Sequence, residues 1–484
     1  MAAQLHESIK SGLLAKAGLL CDEDITAAVA LIDSVKAKGI ETVRIVFADA
    51  HGILRGKTVV ADALAAAFTS GIRVPSTLLL KDTSHRTVFP VWSDTDEAPM
   101  RGASDVLLTP VPSSFQQLPW SEHSALLHCN VSTISGEPIV FTSRQVLATA
   151  LDQLAQRGFK AIMGLEVEFQ VFELVNPARE HVDTTMPGQP PTTRAFTKGF
   201  QYLTETRYGE AEELLDLLRR TAQGMNMPVR SVEIEMGPSQ FEFTFAPADP
   251  MTIADMAVNF RTMVKEVCFR RGLHATFMAK PRLPNAAANG WHIHQSLVDT
   301  KTGSNQFMPQ IDQTPPPIAE NWIAGLLAGA AESCLMTTPT INGYKRYAPF
   351  QLAPNKIGWA HDNRGAMVRA LFALDDNASR VENRVADSSC NPYFALAAQL
   401  ISGMDGLERQ LKAPAPLVNP YNTDAEALPA NLQVAIELFH ASTVYRHYLG
   451  DEFVDYLVNL KRAEWERYLA SVSEWEQMEY FSTF

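Results

Sequence analysis

Apolar and polar positions alternate in four separated stretches, residues 164–172, 232–243, 290–297 and 379–385, and the polar positions are mostly charged groups or imidazoles. A period of two predicts strands, whose successive side chains point to opposite faces of a sheet. Glu166 and Glu168 then share one face, as do His292, His294 and Ser296, and Arg380, Glu382 and Arg384. Leu165, Val167, Phe169 and Val171 occupy the other face of the first strand, so that strand has a core to cover and a distinct polar side. Elsewhere the period changes. Ile25, Val29, Ile32 and Val35 recur at helical spacing after an acidic start, predicting an amphipathic helix over 22–39. Residues 42–49 and 53–60 read as paired strands around a turn at Ala50-His51-Gly52, and the whole forms a small α+β unit ending near residue 135. A helix over 143–156 leads into the first glutamate strand. Pro110-Val111-Pro112 and residues 132–138 read as connections, 176–200 as a mobile loop and 209–224 as a further helix.

A sheet face lined with unpaired carboxylates loses more in desolvation than it gains in packing unless cations neutralise it. The alternating glutamates therefore point to a water-accessible cleft that holds metal ions. Mostly oxygen donors with one imidazole suit Mg²⁺ or Mn²⁺ rather than zinc, and two or three such ions would serve a phosphorylated substrate. Glu235 and Glu242 bracket Gly237-Pro238, a turn that returns the second carboxylate towards the first. The bland alternative is a wet edge strand with solvated glutamates and histidines.

Lys345, Arg346, Arg364, Arg369, Arg380 and Arg384 form a dense cationic group in a chain of formal charge -13. Arginine clamps carboxylate and phosphate bidentately, and arginines beside metal-holding carboxylates are what phosphoryl transfer needs. Arg346, Arg364 and Arg380 are the catalytic candidates. No Gly-x-x-x-x-Gly-Lys-Ser/Thr loop or dinucleotide fingerprint is present, so a nucleotide would be held by metals and arginines.

The acidic balance argues against nucleic acid and membrane surfaces as partners, and no apolar run in the sequence is long enough to cross a bilayer. Five widely spaced cysteines without a Cys-x-x-Cys pair suit a reducing, cytoplasmic compartment.

Taken in order, Val46–Gly52, the Glu-x-Glu pair, residues 235–242, Gly290-Trp-His-Ile-His-Gln-Ser296, Asn342-Gly-Tyr-Lys-Arg346, Asp362-Asn-Arg364, residues 380–384 and Asn391-Pro-Tyr393 resemble the glutamine synthetase family over nearly the whole chain. The resemblance implies an N-terminal β-grasp-like domain (1–135) and a catalytic domain (136–484) with a curved antiparallel sheet flanked by helices. It implies that Glu168, Glu235 and Glu242 hold one metal and Glu166, His292 and Glu382 another. His294, Ser296, Arg364 and Arg369 would meet ATP, and Arg346, Arg384 and the backbone at Gly290 would hold glutamate. ATP would phosphorylate the glutamate side chain, and a nitrogen nucleophile would displace phosphate. Active sites would form between subunits of stacked rings, a dodecamer of two hexamers.

Three departures from the family pattern matter. Leu352, in Phe350-Gln-Leu-Ala-Pro354, stands where ammonium-using relatives carry a glutamate. Pro75 is the candidate replacement for an aspartate reaching in from a neighbouring subunit. Ala287-Ala288-Asn289-Gly290 replaces a more glycine-rich run beside the glutamate site. Ammonium needs a negative site and a base, because an ordinary amine has a pKa of about 10.4. An apolar pocket of Pro75, Phe350, Leu352 and Trp359 predicts instead a ligase for a larger, apolar amine, with an aromatic amine of the γ-glutamylanilide type as the sharpest candidate. Polyamine or alkylamine ligases stay open, with Glu210 or Asp82 as possible acidic partners, as do ammonia-using glutamine synthetase and a catalytically inactive assembly of the same fold.

Overall fold

A computed structural model describes residues 2–90, 100, 102, 104–176, 178–347 and 353–484. The expected first helix runs Asp22–Ala37, with Asp22, Glu23 and Asp24 in its first turn and Ile25, Val29, Ile32 and Val35 buried. It stops short of 39 because Gly39 takes φ 66°, a left-handed conformation that ends a helix.

The first sheet contains β1 (Thr42–Ala48), β2 (Leu54–Val60), β3 (Ile72–Pro75), β4 (Asp105–Pro110), β5 (Gln116–Gln117) and β6 (Ser124–Ser132). Its order is β2-β1-β6-β4-β3, with β5 beside β6. The central strands β1 and β6 are parallel and their outer partners antiparallel, the arrangement expected of a β-grasp-like unit. The turn between β1 and β2 is built by Asp49, whose Oδ1 accepts from the amides of His51 and Ile53 while Oδ2 accepts from Arg55. Gly52, at φ 68°, closes it against Asn391 and Pro392, and a side chain there would also face backbone strain.

The second sheet contains β7 (Phe159–Leu174), β8 (Thr193–Ala195), β9 (Val229–Ile234), β10 (Gln240–Phe245), β11 (Leu273–Thr276), β12 (Trp291–Asp299), β13 (Trp359–His361), β14 (Val368–Leu371) and β15 (Arg380–Asn383). Its order is β13-β14-β15-β12-β7-β10-β9, with β8 and β11 also pairing with β7. The pairs are antiparallel except β13 with β14 at the far edge. Strand β7 has 16 residues, so at about 3.3 Å each it runs roughly 50 Å and serves as the spine on which four strands register.

Leu165, Val167, Phe169 and Val171 are buried, as their alternation predicts. Phe169 packs with Phe241, Phe243, Phe260 and Phe277 at ring separations of 5.2–6.2 Å. The helices Ser143–Gln156 and Pro250–Phe269 press on β7, and Pro392–Glu408 packs on both. The first of these has the expected bounds. The helix expected over 209–224 starts earlier, at Glu205, and carries Gly209 inside it. Glycine costs a helix about 1 kcal/mol relative to alanine, and an Arg207–Glu210 ion pair bridges that turn. The loop over 176–200 contains β8, and the amides of Phe196 and Thr197 donate to Ser239 Oγ, which fastens its end to the β9–β10 hairpin.

Candidate active site

Strand register assembles the polar face. Glu242 lies opposite Glu168, Glu166 opposite His292, His294 opposite Glu382, and Glu382 opposite Arg369, so one row crosses β10, β7, β12, β15 and β14. The turn at Gly237-Pro238 joins β9 to β10 and brings Glu235 to the same cleft. That cleft has a volume of about 400 Å³ and is lined by Glu166, Glu168, Glu235, Glu242, His292, Gly290, Arg346, Arg364, Arg369 and Arg384. A smaller hollow of about 200 Å³ begins on the far side of Glu166, lined by His294, Ser296 and Arg380.

His292 Nδ1 bonds Glu166 Oε2 at 2.8 Å, and His294 Nε2 bonds Glu166 Oε1 at 2.9 Å. Arg380 Nε donates to His294 Nδ1 at 3.0 Å. Because that nitrogen accepts, the proton of neutral His294 sits on Nε2 and points at Glu166. His292, donating from Nδ1, keeps its Nε2 lone pair directed towards Glu168 Oε1, 3.6 Å away. Two groups of donor atoms, Glu166 with His292 and Glu382, and Glu168 with Glu242 and His292, each lie within 4.8 Å of one another.

The carboxylates of this face do not ionise alike. Burial and the neighbouring Glu168 push Glu235 up to about 8, and the same causes, with Glu166 added, raise Glu242 well above the usual carboxylate range. Glu166 is buried too, but its two imidazole hydrogen bonds hold it far below that range. Burial likewise opposes ionisation of Glu382, and Arg384 with the two histidines overcomes it, leaving the group at about 2. Carboxylates forced apart in this way are what a divalent cation brings back into register. The donor set, mainly carboxylate oxygen with one imidazole, fits Mg²⁺ or Mn²⁺.

Arg346 and Arg384 are buried at the cleft floor. Arg346 Nη1 donates to Val385 O at 2.8 Å, Arg384 Nη1 to Glu382 Oε1 at 2.5 Å, and the Nε of each is buried without a partner among the described residues. Arg369 donates to Glu382 Oε2 at 3.1 Å and pairs with Asp362. A Cβ added at Gly290 would lie 3.2 Å from Arg346 Nη2 and from His292 Nε2, so glycine keeps this wall open. The Gly290 amide donates to Glu168 Oε2 at 2.7 Å.

The amine-pocket candidates fare differently. Phe350 and Leu352 lie outside the described residues. Trp359 does not line the cleft: it is buried, with its indole N–H donating to Pro414 O at 2.7 Å. Pro75 lies exposed on β3, at the edge of the first sheet, and does not line this chain's cleft either. Glu210 is paired with Arg207 and Asp82 with Arg467, and neither lines the cleft.

Several lining residues went unassigned in the sequence. Gln240 is buried beside Glu168 and donates to Ala288 O at 2.8 Å and Asn289 Oδ1 at 2.9 Å, fixing the alanine-rich run. Ser388 Oγ donates to the carbonyls of Glu168 and Gly290. The spacing of Gln240 and Glu233 within their strands was a usable signal, since each sits two residues from an assigned glutamate. Phe200, Tyr202 and Met236, partly exposed side chains that also line the cleft, carried none.

The catalytic-domain description of glutamine synthetase matches residues 141–480. The γ-glutamylanilide synthase of Acinetobacter sp. is 33% identical, with 98% of this chain and 99% of that protein aligned. The chain belongs to the glutamine synthetase family. It is therefore an enzyme of the ligase type. The glutamate–isopropylamine ligase of Pseudomonas sp. is 28% identical over 93% of this chain and 96% of its own. A solved structure described as apo GmaS without ligand matches with a TM-score of 0.79 at 28% identity, covering 93% of this chain and 99% of that one. Among the described residues no helix is long and apolar enough to cross a membrane.

Proposed function

We propose that the protein is an ATP-dependent ligase joining the γ-carboxylate of L-glutamate to an apolar, aromatic amine. The relatives named for anilide and isopropylamide synthesis support γ-glutamyl amide formation, and the lining of Phe200, Tyr202 and Met236 supports an apolar nucleophile. That lining is the observation that carries the reading: the same cleft holds these three side chains together with the carboxylates and arginines.

In this reading Arg346 and Arg384 hold glutamate beside Gly290. Arg364, Arg369 and Arg380 face the ATP phosphates, with His294 and Ser296 on the nucleotide side. Two or three Mg²⁺ or Mn²⁺ ions, held by Glu168, Glu235 and Glu242 and by Glu166, His292 and Glu382, would neutralise the charge gathered on the transferring phosphoryl group. A γ-carboxylate oxygen takes the γ-phosphoryl group and ADP leaves. The amine lone pair then attacks the acyl carbon, the bond to phosphate breaks, and the nitrogen passes its extra proton to the departing phosphate. An aromatic amine has its lone pair delocalised into the ring and is largely uncharged at neutral pH, so it needs no carboxylate to bind it.

A second reading rests on Glu233, which lines the cleft with its Oε1 accepting from Ser231 Oγ at 2.7 Å. It supplies the negative charge that an alkylammonium or polyamine would use. Turnover with ATP, Mg²⁺, glutamate and a panel of aniline, isopropylamine, polyamine and ammonia separates the readings by phosphate release and product mass. Aniline is expected to give the highest kcat/KM, whereas ammonia in first place removes the apolar-amine proposal. Leu352→Glu is expected to lower aniline turnover by about tenfold or more, because it places a carboxylate against an apolar substrate. Unchanged aniline kinetics would take Leu352 out of the amine site.

We further infer a homo-oligomer, a dodecamer of stacked hexamers. Val472, Trp475, Met478, Phe481 and Phe484 stand exposed along the C-terminal segment, an apolar surface of the kind another copy covers. Sedimentation tests the subunit count. The acidic charge and reducing-type cysteines support a cytoplasmic setting.

A further inference from the structure

A second cavity, of about 530 Å³, lies between the β1–β2 turn and the helices of the larger unit. Ile53, Leu54, Phe277, Leu335, Met336 and Phe394 give it mainly apolar walls. Its charged lining is unbalanced. Among the described residues Arg261, Lys265 and Lys461 face it, against Glu266 as the one acid. Glu266 is already engaged by Arg44 at 2.5 Å and by the Trp120 indole at 2.8 Å, and Lys461 is neutralised by Glu464 at 3.0 Å.

Arg261 and Lys265 are left over. Arg261 Nη2 donates to Cys390 O at 2.8 Å, its Nε is buried without a partner among the described residues, and its guanidinium lies over the rings of Phe277 and Trp291. Lys265 Nζ donates to Ala275 O at 3.2 Å. Among the described residues neither has a carboxylate within ion-pair distance. The acids whose charge acts on Arg261 are Asp387, whose pKa burial raises, and Asp49, committed to Arg55. Burial and the adjacent Arg261 push the Lys265 ammonium below its ordinary value. Arg261, half-buried, and Lys265, at the solvent-exposed mouth, together offer an incoming anion two charged donors with no protein carboxylate to displace. A cavity of this size and apolar character, with a few convergent polar groups, is what a small-molecule site looks like.

We propose that this cavity binds a small organic anion with an apolar body, its carboxylate meeting Lys265 and Arg261 and its hydrocarbon part lying against Leu335, Met336 and Phe394. The site is separate from the cleft and does not depend on the amine reading. Its walls nevertheless continue into the cleft: Arg261 stacks on Trp291, next to Gly290, and Ser389 and Asn391 follow Ser388, which holds the Gly290 carbonyl.

Octanoate is a suitable probe, with octanol and octylamine as controls for charge, measured by calorimetry on the full-length protein. Octanoate is expected to bind, and both controls to bind at least about tenfold more weakly. Lys265→Glu is expected to weaken octanoate by about tenfold or more, while Lys265→Arg keeps it within about threefold. Lys265 lies at the exposed mouth, so these variants do not disturb the core. The proposal is overturned if octanoate fails to bind at about 10 mM, if octanol binds equally well, or if Lys265→Glu leaves the affinity unchanged.

Discussion

Glu166→Gln is expected to lower kcat/KM by about a thousandfold or more, which corresponds to roughly 4 kcal/mol of transition-state stabilisation. The change keeps size and shape, so the loss has a specific origin. Glu166 accepts one imidazole N–H on each oxygen, His292 on Oε2 and His294 on Oε1. Glutamine accepts on only one. His294 cannot change tautomer without turning an N–H towards Arg380 Nε, itself a donor. The amide –NH₂ is therefore driven to His292, which must accept on Nδ1 and carry its proton on Nε2. That proton points at Glu168 and takes the Nε2 lone pair out of the Glu168, Glu242 and His292 donor group. Steady-state turnover, with Mn²⁺ affinity measured by calorimetry, checks both halves. A variant that keeps activity and metal affinity within tenfold of the parent would remove Glu166 and the His292 lone pair from the proposed machinery.

The site's inner face was legible because it obeys a local rule. Alternation at period two puts Glu166 and Glu168 on one side and Leu165, Val167, Phe169 and Val171 on the other, and antiparallel register then carries the pattern from strand to strand. Nothing beyond β-pairing is needed to bring Glu242 opposite Glu168 or His292 opposite Glu166. The β1–β2 turn was legible for a similar reason, since Asp49 and Gly52 supply local hydrogen bonds and a positive φ.

What escaped depends on segments far apart in the chain. Phe200 and Tyr202 come from a polar loop whose end is fastened by Ser239, and Phe200 itself takes φ 61°, rare for an aromatic residue. Trp359 looks from composition like part of an apolar pocket, but its indole N–H bonds Pro414 O, 55 positions on, and that contact buries it away from the cleft. The second cavity joins His51, Lys265 and Lys461, which no spacing rule relates.

Glu382→Gln is expected to lower the thermal midpoint by several degrees as well as removing activity, so that fold and function fail together. Glu382 is fully buried between Arg384 and Arg369, one guanidinium on each oxygen. Removing the charge from a buried pair leaves uncompensated cations and typically costs about 3–5 kcal/mol, and an amide –NH₂ directed at either arginine adds repulsion. The titration of the same group gives a consistent size. Its pKa of about 2 lies below the roughly 4.3 of an unfolded glutamate, a difference worth about 3 kcal/mol at neutral pH. Because the folded value is the lower one, this stabilisation is complete above the unfolded pKa and is lost as pH falls towards about 2. The parent's advantage over Glu382→Gln should therefore be constant between neutral pH and about 5 and shrink below it. Arg369→Gln, which leaves the Arg384 pair in place, should lose activity with a smaller drop in midpoint. Equal midpoints for the parent and Glu382→Gln would show that the two arginines find other partners, and that Glu382 does not hold this face of the sheet together.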